Sequence, residues 1–249
     1  MKTPKNDTPV VVTGLHKSFG KQTVLDGIDL TVQRGETVAV LGRSGTGKSV
    51  LLKLLIGLEK PDSGSVRLLG QEIAGLGMDA LNEIRKKMGF VFQQSALYDS
   101  LNVEQNVEFP LRRHTNLSDA ERKQRVRELL SNVGLESALE KMPSEISGGM
   151  QKRVALARAI ALNPEVVLFD EPTTGLDPIT ASEIGKLIRD LQKQHHITSV
   201  VVTHDMHAAR KFSDRMVLLN DGKIRAEGTF ADLKHSQDEF VVEYLREAA

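Results

Sequence analysis

The stretch that most constrains this chain is residues 42–49, which read Gly-Arg-Ser-Gly-Thr-Gly-Lys-Ser. An apolar run precedes it at 37–41 and another follows it at 50–55, so the pattern lies between a predicted strand and a predicted helix. Glycines let backbone N–H groups converge on phosphate oxygens, and a helix N-terminus favours the same anion. The sequence therefore predicts a nucleoside triphosphate site, with Lys48 directed at the β- and γ-phosphates and Ser49 at Mg²⁺.

Bulk composition excludes several classes of function. The 249 residues include 33 Lys and Arg and 33 Asp and Glu, so no net field attracts nucleic acid or an anionic membrane. The chain has no cysteine, which excludes disulfides and thiolate metal sites and suits a reducing cytoplasm. The polar residues 1–7 predict no signal peptide, and the apolar runs fall short of the roughly 20 residues that span a membrane. We expect a cytoplasmic protein that reaches a membrane only through a partner.

Short β-branched runs alternate with longer helical patterns, which predicts an α/β fold with a mostly parallel sheet covered by helices. The runs that predict strands are residues 10–12, 28–32, 38–41, 166–169, 199–202 and 216–219.

The predicted organisation is one domain, 1–249, divided in sequence by a helical insertion. No strand pattern occurs from 95 to 162, so the expected parts are a core of 1–94 and 163–236, a helical subdomain of 95–162 and a helical tail of 237–249. The tail has apolar residues at helical spacing, and its sequence leaves open whether they pack on this chain or on a neighbour. These residues are Phe240, Val241, Tyr244 and Leu245.

Two strand ends supply polar groups for the second half of the site. The run 166–169 ends in Asp170 and Glu171; in P-loop enzymes a carboxylate in this position holds the Mg²⁺ shell, and its neighbour can polarise the attacking water. His204 follows the run 199–202 in the same way. In isolation such residues are more often solvated strand ends, but after a phosphate-binding loop they are candidates for catalysis.

Ser147, Gly148 and Gly149 form a second candidate anion site. They precede a helical pattern from 150 to 162, and a hydroxyl with two glycines at a helix N-terminus can bind phosphate.

The order of these motifs resembles that of ATP-binding-cassette (ABC) ATPases. Residues 146–153 resemble the signature motif Leu-Ser-Gly-Gly-Gln, with Ile146 for Leu and Met150 for Gln. The latter change removes a polar side chain from the motif. The remaining family motifs stand in the expected order: Phe19 in the adenine-stacking loop, Gln93 in the Q-loop, Asp170 and Glu171 as Walker B, Asp177 in the D-loop, and His204 as the switch histidine.

The resemblance implies a RecA-like P-loop core with an N-terminal antiparallel β part, and it implies ATP and Mg²⁺ as ligands. It assigns Ser49, Gln93 and Asp170 to the metal, and Glu171, His204 and Gln93 to catalysis. It also implies a head-to-tail homodimer, because each nucleotide lies between one P-loop and the partner's signature motif. The residues it assigns to the nucleotide are Phe19, Gly42, Arg43, Ser44, Gly45, Thr46, Gly47, Lys48, Ser49, Ser147, Gly148, Gly149 and Asp177.

Within that family, several segments resemble the ATPases of Mla-type phospholipid transporters, which maintain outer-membrane lipid asymmetry. These segments are residues 94–98, 101–103, 106–112, 114–115, 142–145, 150 and 177–180. By this resemblance the chain hydrolyses ATP on the cytoplasmic face of the inner membrane. A membrane permease docks on the helical subdomain, and lipid-binding accessory subunits complete the assembly. Three alternatives stay open: the ATPase of another importer, for an amino acid or other small solute; a soluble ABC ATPase acting on nucleic acid or ribosomes; and a non-hydrolysing regulator. The single cassette and zero net charge disfavour the nucleic-acid reading, and the presence of Glu171 and His204 disfavours the regulator.

Overall fold

A computed structural model describes residues 8–247. The segment 1–7, for which no signal peptide was expected, and the last two residues of the predicted tail lie outside the described residues. The described strands are β1 (Val10–Phe19), β2 (Gln22–Val32), β3 (Thr37–Leu41), β4 (Ser63–Leu68), β5 (Gln71–Glu72), β6 (Met88–Val91), β7 (Val166–Asp170), β8 (Thr198–Thr203), β9 (Arg215–Asn220) and β10 (Lys223–Gly228). The described helices are α1 (Lys48–Leu55), α2 (Met78–Arg85), α3 (Val103–His114), α4 (Asp119–Asn132), α5 (Gly148–Ala159), α6 (Pro178–His195), α7 (Met206–Phe212), α8 (Phe230–Leu233) and α9 (Glu239–Glu247).

The strands form two sheets. The larger has the order β10-β9-β3-β8-β7-β6 and is parallel except where β10 pairs with β9. The smaller is antiparallel, in the order β2-β1-β4-β5. The predicted α/β class, with a mostly parallel core and an N-terminal antiparallel part, is confirmed.

The larger sheet separates two hydrophobic clusters because side chains alternate along each strand. Val38 and Val40 of β3 face one cluster, which includes α1 and the antiparallel sheet, while Ala39 and Leu41 face the other. The second cluster also contains the buried residues of α3, α4 and α5. Strands buried on both faces read as continuous apolar runs, which is why β3, β7 and β8 could be found from sequence.

The prediction that six apolar runs supply the strands was wrong, because it missed β4, β5, β6 and β10. β10 lies at the sheet edge and alternates between exposed and half-buried residues, and edge strands commonly carry charges. β4 and β5 are likewise polar, and β6 has only four residues, including Gly89. At Gly89 an added Cβ would lie 2.5 Å from the carbonyl oxygen of Ala159, so close packing excludes a β-branched residue there.

From α3 to α5 the chain is helical, with two short 3₁₀ turns at Glu136–Ala138 and Pro143–Glu145. Capping boxes begin α3 at Asn102 and α4 at Ser118. The boundaries drawn at 95 and 162 stay a prediction. Across residues 8–247, none of the helices combines the length and apolar character that crossing a bilayer requires.

Parallel pairing brings three strand ends to one edge of the larger sheet. β8 lies between β3 and β7, with Leu41 opposite Thr203 and Asp170 opposite Val202. The residues that follow these strands therefore meet at the carboxyl edge, the usual place for a ligand in an open α/β sheet.

Candidate nucleotide site

The loop after β3 is shaped for close approach of backbone to a ligand. Gly47 has φ of +98° and forms the N-cap of α1 without a side-chain cap. A Cβ added there would lie 2.8 Å from Leu25 Cδ2 and 2.9 Å from the carbonyl oxygen of Val24. The first N–H groups of α1 are thus left without a side-chain partner at a helix N-terminus, where an anion is favoured.

Lys48 begins α1 and is almost fully buried. Its Nζ donates hydrogen bonds to the carbonyl oxygens of Gly42 (2.7 Å) and Arg43 (2.9 Å), and it lies 3.9 Å from Glu171 Oε1. Burial lowers the pKa of Lys48, and the charge of Glu171 opposes that shift. The two hydrogen bonds to carbonyl oxygens hold the ammonium group of Lys48 against the main chain of the loop.

Ser49 links the loop to the end of β7. Its hydroxyl donates to Asp170 Oδ1 at 3.0 Å. Burial raises the pKa of Asp170, and the hydrogen bond from Ser49 opposes the rise. A hydroxyl and a carboxylate side by side match the oxygen ligands that Mg²⁺ prefers, so this pair fits the predicted metal.

Glu171 and His204 form a pair at the ends of β7 and β8. Glu171 Oε2 lies 3.0 Å from His204 Nδ1 and accepts a hydrogen bond from the Thr174 hydroxyl at 3.1 Å. The Glu171 side chain is buried, whereas that of His204 is 59% exposed. Glu171 has φ of +48°, a conformation that non-glycine residues adopt at a cost and that is frequent at active sites.

The loop and these strand ends enclose a cavity of about 720 Å³, within the range of small-molecule sites. Most of the predicted nucleotide-binding residues line this cavity. Gly42 and Thr46 belong to the loop but do not line the cavity. Asp170 does not line it either, but it accepts a hydrogen bond from Ser49, which does. The lining residues are Phe19, Val24, Arg43, Ser44, Gly45, Gly47, Lys48, Ser49, Val50, Gln93, Glu171, His204, Tyr244 and Glu247.

The predicted signature residues and Asp177 lie elsewhere, and none of them lines this cavity. Ser147 is the N-cap of α5 and accepts a hydrogen bond from the Met150 N–H, and Asp177 caps α6. The two helix starts pack together, since a Cβ on Gly149 would lie 2.7 Å from Thr180 Cγ2. One chain thus carries two separate groups of predicted phosphate-binding residues.

Sequence reasoning missed two side chains at the site. Lys152 is buried on α5, and its Nζ donates to the carbonyl oxygen of Gln93; burial lowers its pKa, and the charges of Asp170 and Glu171 oppose this. Tyr244 of α9 lines the cavity. The helical spacing of the tail could have indicated Tyr244 as a packed residue, but its sequence contained no signal for the surface that it packs against.

Comparison with known proteins agrees with this geometry. The model of the family described as "ABC transporter" matches residues 25–174. The intermembrane phospholipid transport system ATP-binding protein MlaF of Haemophilus influenzae is 42% identical over 97% of this chain and 91% of its own length. The methionine import ATP-binding protein MetN of Brucella abortus is 40% identical over 91% of this chain, which spans only 62% of that relative.

A solved structure of an ATP-binding cassette is also similar to this chain. The ATP-binding cassette MJ0796, in a dimeric post-hydrolysis state bound to ADP and Pi, is 38% identical to this chain. Their superposition has a TM-score of 0.81 and covers 88% of this chain and 98% of that one. This chain belongs to the ABC transporter family and is an ABC-type ATPase.

Proposed function

We propose that this chain is the ATPase subunit of a transporter that moves phospholipid and contributes to outer-membrane lipid asymmetry. The observation that carries the proposal is its 42% identity to MlaF across nearly the full length of both proteins. A second candidate is the import of an amino acid or other small solute, favoured by the 40% identity to MetN.

In the proposed mechanism the loop residues bind the phosphates of ATP. The N–H groups from Gly45 to Ser49 surround them, and Lys48 exchanges its carbonyl partners for phosphate oxygens. Phe19 is 47% exposed at the end of β1 and lines the cavity, so its ring is free to stack on adenine. Ser49, Asp170 and Gln93 would hold Mg²⁺, which supplies charge neutralisation at the phosphates when bound.

Glu171 is the proposed general base. It accepts the proton of a water that attacks the γ-phosphorus, while the bond from that phosphorus to the β–γ bridging oxygen breaks and ADP leaves. His204 donates a hydrogen bond to a γ-phosphate oxygen. The support is positional: Lys48 lies 3.9 Å from one oxygen of the Glu171 carboxylate and His204 lies 3.0 Å from the other. Phosphoryl transfer is catalysed chiefly by such positioning and by electrostatics.

A second copy of the chain completes the site. Ser147, Gly148 and Gly149 would contact the nucleotide held by the partner's loop, with Asp177 alongside. This proposal rests on two observations: these residues do not line the cavity of their own chain, and MJ0796 is dimeric. Ile179, two residues after Asp177, is 75% exposed, and burial of this side chain in the dimer would contribute to the stability of the dimer.

The proposed permease site on the helical subdomain is a groove of about 850 Å³ that the end of α3 forms together with α2 of the core. Both signs of charge occur there, with Asp79 and Glu83 near Arg113 and His114. Arg113→Glu should weaken binding to the permease without loss of the ATPase activity of the isolated chain. Arg127→Glu, an exposed arginine on α4, is the matched control and should bind normally.

The test of transported substrate begins with the chain tagged in its native host. Co-purification after detergent extraction should yield a permease and lipid-binding accessory subunits. Bound to that permease, the chain would lie on the cytoplasmic face of the membrane. In proteoliposomes, that complex should move labelled phospholipid only with ATP. Transport of methionine or another solute, with no lipid movement, would favour the second candidate. Recovery of ribosomes or nucleic acid without a permease would contradict both.

A further inference from the structure

Helix α9 packs on its own chain. Val241 and Tyr244 are buried in the hydrophobic cluster that includes α3 to α7, and the rings of Phe240 and Tyr244 have centroids 5.7 Å apart. The question left open by the tail sequence is thereby answered for residues 239–247. This packing places one face of α9 along the nucleotide cavity.

The Tyr244 hydroxyl lies between two parts of the nucleotide site. It donates a hydrogen bond to the main-chain carbonyl oxygen of His204 at 3.1 Å. Burial raises the pKa of Tyr244 to about 12, and the backbone of Gly42 opposes that rise. The phenol is therefore a neutral donor at physiological pH, placed where the phosphate-binding loop begins and the strand-end histidine follows β8.

A second contact ties α9 to the loop itself. Nη2 of Arg43 lies 2.9 Å from Glu243 Oε1 and 2.9 Å from Glu247 Oε1. These carboxylates are one helical turn apart and share one guanidinium group. Exposed ion pairs contribute little free energy individually. These two pairs therefore serve mainly to orient α9, whereas Tyr244 makes the buried contact with the site.

The side chain of His204 is 59% exposed, so packing alone does not fix its position at the cavity. Hydrogen bonds must hold it there. Its ring is held by Glu171 at 3.0 Å and its carbonyl oxygen by Tyr244. Together these bonds set the position of both ends of the residue. We propose that Tyr244 is a positioning residue for ATP hydrolysis, acting through the main chain of His204. The inference rests on the role proposed above for His204.

The test compares Tyr244→Phe with the unaltered chain. Phe keeps the ring packed and removes only the donor, leaving a carbonyl without its partner. We expect kcat to fall about two- to tenfold, the ratio that one neutral hydrogen bond commonly carries. The KM for ATP should change less than twofold, as should the affinity for Mg-ATP measured in the non-hydrolysing Glu171→Gln background. Glu239→Gln, on the exposed side of the same helix, is the control and should keep the original kcat.

A double variant distinguishes positioning from a general structural effect. Single-turnover assays should give equal rates for His204→Ala and His204→Ala/Tyr244→Phe, because the hydroxyl acts only through His204. Additive losses, or an unchanged kcat in Tyr244→Phe, would overturn the inference. If His204→Ala itself keeps full turnover, the proposed role of His204 is wrong and the inference falls with it. If His204→Ala is slow while Tyr244→Phe is not, only the inference about Tyr244 is overturned.

Discussion

The imidazole Nδ1 of His204 lies 3.0 Å from Oε2 of Glu171, although the two residues follow different strands. The main chain supports the pair as well, since the Glu171 N–H donates to the carbonyl oxygen of Val202 at 2.9 Å. Glu171 holds this position with a positive φ. The candidate base and the candidate γ-phosphate donor are thus placed together by contacts within the chain itself.

Lys48→Ala should abolish ATP hydrolysis and weaken nucleotide binding strongly. The substitution removes the cation that the loop folds around, and a point charge near the β- and γ-phosphates cannot be replaced by backbone N–H groups alone. Phosphate release and nucleotide binding by calorimetry measure the two effects. Lys53→Ala, an exposed lysine of α1, should retain both; near-normal turnover in Lys48→Ala would contradict the assignment of the loop.

Phe19→Ala should raise the KM for ATP and narrow the difference between ATP and GTP. Stacking of a base on an aromatic ring contributes about 1–3 kcal/mol on other scaffolds. Because the ring of Phe19 is exposed, it contributes little to the packing of the hydrophobic core. Steady-state kinetics with both nucleotides measure the change, and Phe19→Tyr serves as the control that keeps the stacking face. An unaltered KM in Phe19→Ala would remove Phe19 from the adenine site.

The larger sheet could be predicted from the sequence where a buried apolar strand is followed directly by polar site residues. Continuous apolar runs gave β3, β7 and β8, and the polar residues after each run gave the loop, Asp170 with Glu171, and His204. Parallel pairing then brings these three ends together. For the same reason the polar edge strand β10 gave no apolar pattern to detect.

The contribution of α9 could not be predicted, because it depends on tertiary packing. The spacing of Val241 and Tyr244 indicates an apolar helix face but does not identify the surface beneath it. Likewise, Lys152 reads as part of a basic stretch on a helix, and only the fold buries its ammonium group against Gln93. Such contacts between distant segments have no local sequence signal.

The phenol of Tyr244 should remain protonated at alkaline pH in the folded protein. Burial raises its pKa to about 12, above the value of about 10 that a solvated tyrosine has, so its contribution to stability is complete below about pH 10 and is lost as the pH rises through about 12. The chain has two tyrosines and no tryptophan, so phenolate absorbance in Tyr98→Phe reports Tyr244 alone. Near pH 11 the folded protein should show little phenolate and the guanidinium-unfolded protein mostly phenolate; equal titration of both would show that the hydroxyl is solvated.

Glu171→Gln tests directly whether two copies of this chain form each complete ATPase site, as proposed above. The variant keeps shape and hydrogen bonding but removes the carboxylate, so Mg-ATP should bind while hydrolysis falls about 100- to 10,000-fold. The dimer should then persist, because its nucleotide is not consumed. Adding Ser147→Arg places a bulky cation at the expected contact with the partner's nucleotide and should prevent dimerisation, whereas adding Ser100→Arg, at another exposed serine, should not.

The decisive measurement is the mass of these variants in Mg-ATP by size exclusion with light scattering. We predict a dimer for Glu171→Gln and for Glu171→Gln/Ser100→Arg, and a monomer for Glu171→Gln/Ser147→Arg. A monomeric Glu171→Gln, or a Ser147→Arg double variant that dimerises equally well, would contradict this prediction.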